Sequence, residues 1–264
     1  MWKPVHEAHA IERVRLLLSF AEPVPVKAIA RAAEHVTADH RKWGLDTSER
    51  ISPSQQIVLT PNVTARPAGD EGYIFKKLDG ETLVEEVGFR AGRLGYFTST
   101  YGRWETLRSR VESFFLPAIE RLKDVVDFSN VRLDFWDAFL FDGDFKEADA
   151  RDILASPDVG IPNSALGPGR FWHSHTGWFE TRASEKFLVN RNIGVGPKET
   201  DGSKIMSATI NIMTQRRAED GDIAHDQILS TVDIMHKVSN TVFGESISEE
   251  MRNRIGLDLR EYQQ

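Results

Sequence analysis

Residues 131–141, VRLDFWDAFLF, form the clearest strand in this sequence. Apolar side chains recur at every second position along the stretch, which is the period of a β-strand that buries one face. Asp137 interrupts the pattern, because unbroken alternation places it on the buried face between Phe135 and Phe139. A carboxyl group there must be hydrogen-bonded, paired with a cation or protonated, since an unpaired buried charge is too costly. Asp137 is therefore predicted to be critical to the structure or to function.

Strand and helix patterns alternate on both sides of this stretch. Upstream lie a strand at residues 9–20, a helix from residue 26 to 43, a meander at 73–101 and a helical stripe from Trp104 to Leu122. Downstream lie strands at 171–180, 186–195 and 204–213, a helix from Asp226 to Phe243 and a last capped helix ending at Gly256. The patterns predict an α+β fold of antiparallel sheets covered by long amphipathic helices. They also admit two related halves, residues 1–150 and 151–264.

The composition limits the classes of function. The 264 residues carry 33 Lys and Arg against 40 Asp and Glu, a net charge of -7, which disfavours nucleic acid and anionic membranes as partners. The absence of cysteine excludes disulfides, thiol nucleophiles and cysteine-ligated metals. The charged N-terminus does not resemble a signal peptide, and no window is apolar enough to span a membrane. The sequence thus predicts a soluble protein of the cytoplasm.

Residues 170–180, RFWHSHTGWFE, contain the most specific chemical pattern. His173 and His175 share one side of an extended strand, where two imidazoles can bind one metal ion. With Glu180 as a third ligand, the segment resembles the first half of the cupin metal motif, but Phe187 stands where that motif has glycine. Alternation also places Glu180 on the face opposite the histidines unless a bulge intervenes. The alternative reading is structural, with both histidines hydrogen-bonded to neighbours on a half-buried strand.

Other catalytic signatures are absent: there is no GxSxG, P-loop, HExxH or EF-hand loop, and no GxGxxG after a strand. Two hypotheses follow. The first is a non-catalytic protein without a cofactor that binds a partner macromolecule, most simply another protein. The second is a metal-dependent enzyme in which His173, His175 and an acidic ligand hold a divalent transition metal that acts as a Lewis acid or activates water.

Three blocks resemble a family of uncharacterised bacterial proteins of about this length that is sporadically distributed among genomes. They are KPVHEAHAIERVRLLLSF near the N-terminus, YGRWETLRSRVESFFLPAI followed by VRLDFWDAF in the middle, and MHKVSNTVFGESISEEMRNRIG at the end. The middle strand departs from the family, which more often has Arg, an aromatic residue and Asn there. The resemblance implies no established activity. Scattered occurrence suggests mobile gene cassettes, such as those of defence or toxin control.

Overall fold

The computed structural model describes residues 1–52, 71–155, 166–200 and 202–262. These residues form ten strands: β1 Trp2–Pro4, β2 Ile11–Phe20, β3 Thr47–Ile51, β4 Gly72–Asp79, β5 Thr82–Arg90, β6 Arg93–Thr98, β7 Phe128–Phe141, β8 Trp172–Arg182, β9 Glu185–Thr200 and β10 Ser203–Arg217. They also form four α-helices: α1 Val26–Thr37, α2 Trp104–Leu122, α3 Ile228–Ser246 and α4 Glu249–Arg254. No helix among them is long and apolar enough to cross a membrane.

Hydrogen bonds join the strands in the order β3-β4-β5-β6-β2-β7-β10-β9-β8, and β1 pairs with β7. The expectation of several sheets covered by long helices is wrong, because one ten-stranded, mostly antiparallel sheet dominates and helices are few. Strands β7, β9 and β10 extend over 14, 16 and 15 residues, further than their apolar patterns indicated. The helix expected to reach Trp43 instead ends at Thr37 and is followed by a short 3-10 turn.

The chain forms two compact units. The first comprises residues 1–14, 133–216 and 230–264, and the second comprises residues 15–132 and 217–229. The boundary expected at residue 150 falls within the middle segment of the first unit.

In the first unit, α3 packs on one face of the strands. The rings of Phe139 and Phe243 stack with their centroids 6.5 Å apart, and the Thr214 and Ser239 hydroxyls lie 3.4 Å apart. The apolar residues predicted to line the inner side of this helix are all buried: Ile228, Val232, Met235, Val238, Val242 and Phe243. Their burial, rather than helix propensity, supplies most of the stability of such a helix.

In the second unit, α1 and α2 pack on the meander of β4, β5 and β6. Ring contacts join His35 of α1 to Phe89 of β5, and Tyr96 of β6 to Phe114 of α2. Helix α2 has the bounds that its apolar spacing predicted, and it accommodates Pro117 internally.

Candidate functional site

Strands β8, β9 and β10 have a second face, directed away from α3, which we call the open face. It consists of the odd-numbered residues of β8 from His173 to Thr181, the even-numbered residues of β9 from Lys186 to Lys198, and the odd-numbered residues of β10 from Ile205 to Gln215. The strand register determines which residues belong to this face, because the side chains of directly paired residues point to the same side of the sheet. The opposite set of residues includes Arg191 and Thr214, whose side chains contact α3.

A polar ladder crosses the open face from the two-histidine segment. His175 Nδ1 contacts Asn192 Oδ1, Asn192 Nδ2 donates to Asn211 Oδ1 at 3.1 Å, and Asn211 Nδ2 donates to the Phe135 carbonyl oxygen at 2.9 Å. Because the amide oxygen of Asn192 only accepts, His175 Nδ1 must donate, which leaves Nε2 as an acceptor when the ring is neutral. The ladder therefore fixes the tautomer and the orientation of the His175 ring.

The structure separates the three proposed metal ligands. His173 and His175 are both exposed on the open face, whereas Glu180 lies on the other face of β8, 4.0 Å from Arg182. No bulge interrupts the pairing of β8 with β9, so strict alternation holds. Within the described ranges, no group of three or more His, Asp and Glu side chains is placed to hold a metal ion. The two imidazoles thus share a face without the carboxylate suggested as their third ligand.

The open face carries no carboxylate on β8, β9 or β10, although the chain contains 40 acidic residues. Its charged side chains are Lys186 and Lys198. Lys198 pairs with Glu12 of β2, and the Lys186 ammonium lies 4.2 Å from the centroid of the Phe179 ring. Phe179 is 51% exposed, so it presents an aromatic surface beside a cation.

A groove of about 550 Å³ lies at the glycine-rich end of this face. Gly194 and Gly196 have no atoms within 4 Å of where a Cβ would lie, so the backbone is approachable there. Trp172 and Ser207 also line the groove, and Trp172 Nε1 and Ser207 Oγ are buried without a hydrogen-bond partner among the described residues. Because an unmade hydrogen bond at a buried donor is costly, Ser207 Oγ is suited to a ligand that supplies an acceptor, whereas the Trp172 side chain belongs to the opposite face of β8.

Beneath the ladder, the other face of β7 holds Asp137, which is only 2% exposed. Its Oδ1 has no hydrogen-bond partner among the described residues, and burial raises the pKa of the carboxyl group well above its usual value. His236 of α3 lies near the same strand, with its ring centroid 5.9 Å from that of Phe135. Burial, with a smaller contribution from Lys237, lowers the pKa of His236 to about 3. Burial therefore favours the neutral form of both groups, and sequence reasoning identified only the first.

The second unit contains a separate cavity of about 570 Å³ beside a buried polar triad. Glu85 Oε1 accepts hydrogen bonds from Tyr96 Oη and Arg110 Nε, each at 2.8 Å, and Arg110 Nη2 donates to Oε2 at 2.9 Å. Burial, reinforced by the nearby Glu85 charge, raises the pKa of Tyr96. No motif indicated this triad, since its members lie on β5, β6 and α2. Both carboxylate oxygens are already engaged, which favours a structural role.

Comparisons with known proteins supply no family and no function. No protein-family model and no curated protein matches the chain. Among solved structures, the chain is similar at 12% identity to DynU16, a protein in the dynemicin biosynthetic locus, over 96% of this chain and 99% of that one, with a TM-score of 0.20. A TM-score that low supports no conclusion about fold or function.

Proposed function

We propose that the protein is a non-catalytic binding protein that holds an anionic macromolecule on the open face. The observation that carries this proposal is the charge segregation of that surface: its side chains on β8, β9 and β10 include lysines and histidines but no Asp or Glu, in a chain of net charge -7. Complementary potential steers association and fixes which partners are accepted. The open face therefore attracts an anionic partner, whereas the net negative charge of the whole molecule repels one.

Hydrogen-bonding capacity on the face supports binding rather than a reaction. Asn190 and Gln215 offer amide groups, and His175 is held in a fixed orientation by Asn192. In the described parts of the chain, no group of three or more His, Asp and Glu side chains accompanies them that could hold a metal ion. The protein partner expected from the sequence fits the proposal if it carries an acidic segment.

Heparin affinity chromatography tests the proposal with a defined polyanion. The unmodified chain should be retained at about 50 mM salt, and Lys186→Glu, which introduces a carboxylate on the open face, should elute at clearly lower salt. Lys42→Glu is the matched control, because it makes the same charge change at an exposed position in the second unit. Equal elution of the two variants, or no retention of the unmodified chain, contradicts the proposal.

A further inference from the structure

We propose that the anionic macromolecule is a single-stranded nucleic acid, an inference that rests on the proposed function and names its partner. Single strands differ from other polyanions in having unstacked bases beside their phosphates, so a surface that binds them combines cations, aromatic rings and base-edge hydrogen-bonding groups. The open face has all three.

Phe179 and Lys186 supply the stacking position and its adjacent charge. The Phe179 ring is 51% exposed, and Lys186 Nζ lies 4.2 Å from its centroid. A base that stacks on the exposed surface of this ring brings its own phosphate towards the ammonium group. Base-aromatic stacking tolerates any sequence because every base has a π-face. This pair therefore predicts binding with weak sequence preference.

The polar ladder supplies groups for base edges. With Nδ1 committed to Asn192, the exposed His175 ring presents Nε2 to solvent. Asn190 lies two residues along β9 on the same face and adds an amide that both donates and accepts. These groups lie on paired strands close to Phe179, so one bound strand can reach them together.

The groove supplies a place for a further nucleotide. Ser207 Oγ, which has no hydrogen-bond partner among the described residues, is suited to a phosphate or base group, and Ser207 is only 5% exposed. Gly194 and Gly196 leave the floor of the groove clear of side chains, and Lys198 lines it together with its ion-pair partner Glu12. A buried hydroxyl with no partner among the described residues distinguishes this end of the face from an ordinary solvated sheet face.

A duplex and an acidic peptide fit these features less well. A duplex keeps its bases stacked on one another, which leaves none to cover Phe179. An acidic peptide satisfies Lys186 but has no base to stack on the ring. Variants of Phe179 and Lys186 can therefore distinguish these partners. Removing the Phe179 ring should weaken the binding of single strands only.

Fluorescence anisotropy with the full chain tests the inference. Labelled oligothymidylate and oligouridylate of about 12 nucleotides, the matching duplex and labelled polyglutamate serve as probes. The single strands should bind more tightly than the duplex or polyglutamate, and preference for one sugar identifies RNA or DNA as the partner. Phe179→Ala should weaken single-strand binding by about fivefold or more. Lys186→Glu should weaken it by roughly tenfold and reduce the slope of affinity against salt.

Leu116→Ala is the matched control for Phe179→Ala, because Leu116 is also an exposed apolar side chain but lies on α2. It should leave binding unchanged. If polyglutamate binds as tightly as the single strands, and Lys186→Glu alone weakens both, the nucleic-acid inference is overturned while the proposed function stands. If no probe responds to Lys186→Glu, both are overturned.

Discussion

Asp137 shows how a single position can matter without joining a site. Its neighbours on β7, Phe135 and Phe139, pack against rings of α3, and the carboxyl group is held in the same apolar layer. Period-two alternation sufficed to place it there from the sequence. Its protonation could not be read from the sequence, because that depends on whether any partner reaches Oδ1.

Asp137→Asn should remove a pH dependence from the stability of the protein. The pKa of the folded carboxyl group is raised above its ordinary 3.8, so the folded state keeps a proton that the unfolded chain releases. Stability is therefore lost as pH rises through the interval between the two pKa values, by up to about 1.4 kcal/mol per pH unit. Urea denaturation at a series of pH values should show this loss in the unmodified protein only. Parallel profiles for the two proteins would mean that Asp137 is ionised in the fold.

His236→Gln should remove a dependence of the opposite sign. The pKa of folded His236 is lowered from 6.5 to about 3, so the unfolded chain takes up a proton that the folded state refuses. This contribution to the free energy of unfolding is fully present above about pH 6.5 and is lost as the pH falls towards 3. Glutamine can still accept a hydrogen bond from Asn240, which now donates to the ring at 2.8 Å. The variant should resist acid unfolding better than the unmodified protein between those pH values.

The elements differ in how well the sequence predicts them. Apolar spacing gave α2 its bounds and placed α3 within three residues at each end, because one stripe of each helix is buried. The apolar pattern predicts a strand that ends at residue 195, yet β9 continues through Gly196 to Thr200. Hydrogen bonding of β9 to β10 outweighs the low propensity of glycine for strands. Pro197 is tolerated because it lies beyond the start of β8, where β10 is its one neighbour among the described strands.

Substitutions in the turn between β8 and β9 should stabilise the protein. Ala183 and Ser184 form a two-residue loop between the paired Arg182 and Glu185, and their φ angles are 50° and 66°. Residues other than Gly and Asn are strained at positive φ, and Asn-Gly is the preferred pair for such a loop. The double variant Ala183→Asn, Ser184→Gly is therefore expected to raise the free energy of unfolding by about 1 kcal/mol.

Gly80 gives the complementary control for that turn. Its φ is 60°, and nothing lies within 4 Å of where a Cβ would be, so only backbone strain opposes a side chain. Gly80→Ala should lower the free energy of unfolding by about 1 kcal/mol. If thermal denaturation shows no change in stability for either turn variant, backbone strain at positive φ does not affect stability at these positions.

Packing of α3 should contribute far more than either turn. Met235 is fully buried against the strands, so Met235→Ala should lower the free energy of unfolding by about 2–5 kcal/mol. Lys237→Ala, two residues along and exposed, should change it by less than about 0.5 kcal/mol. Guanidinium denaturation of the two variants makes the comparison. A similar loss in both would contradict burial as the source of the difference, because alanine has the higher helix propensity at either position.

For the chain as a whole, net charge is an average that does not describe any one surface. A total of -7 led to the expectation that nucleic acid is disfavoured, because it averages over all 264 residues. The open face becomes visible only when the register of β8, β9 and β10 assigns each side chain to a face. Sequence alternation identified His173 and His175 as sharing a face, but not their neighbours across the strands. Cross-strand neighbours depend on pairing between residues far apart in the chain, which local patterns do not specify.

Protection of individual lysines from an amine-reactive reagent tests the open face most directly. Lys186 and Lys42 are both exposed, and only the first lies on the open face. Mass spectrometry can follow the modification of each in the full chain, with and without saturating heparin. We expect heparin to slow modification of Lys186 several-fold and to leave Lys42 unaffected, because a bound polyanion covers the ammonium beside Phe179. Equal protection of the two lysines, or protection of Lys42 alone, would place the binding surface elsewhere and contradict the proposed role of the open face.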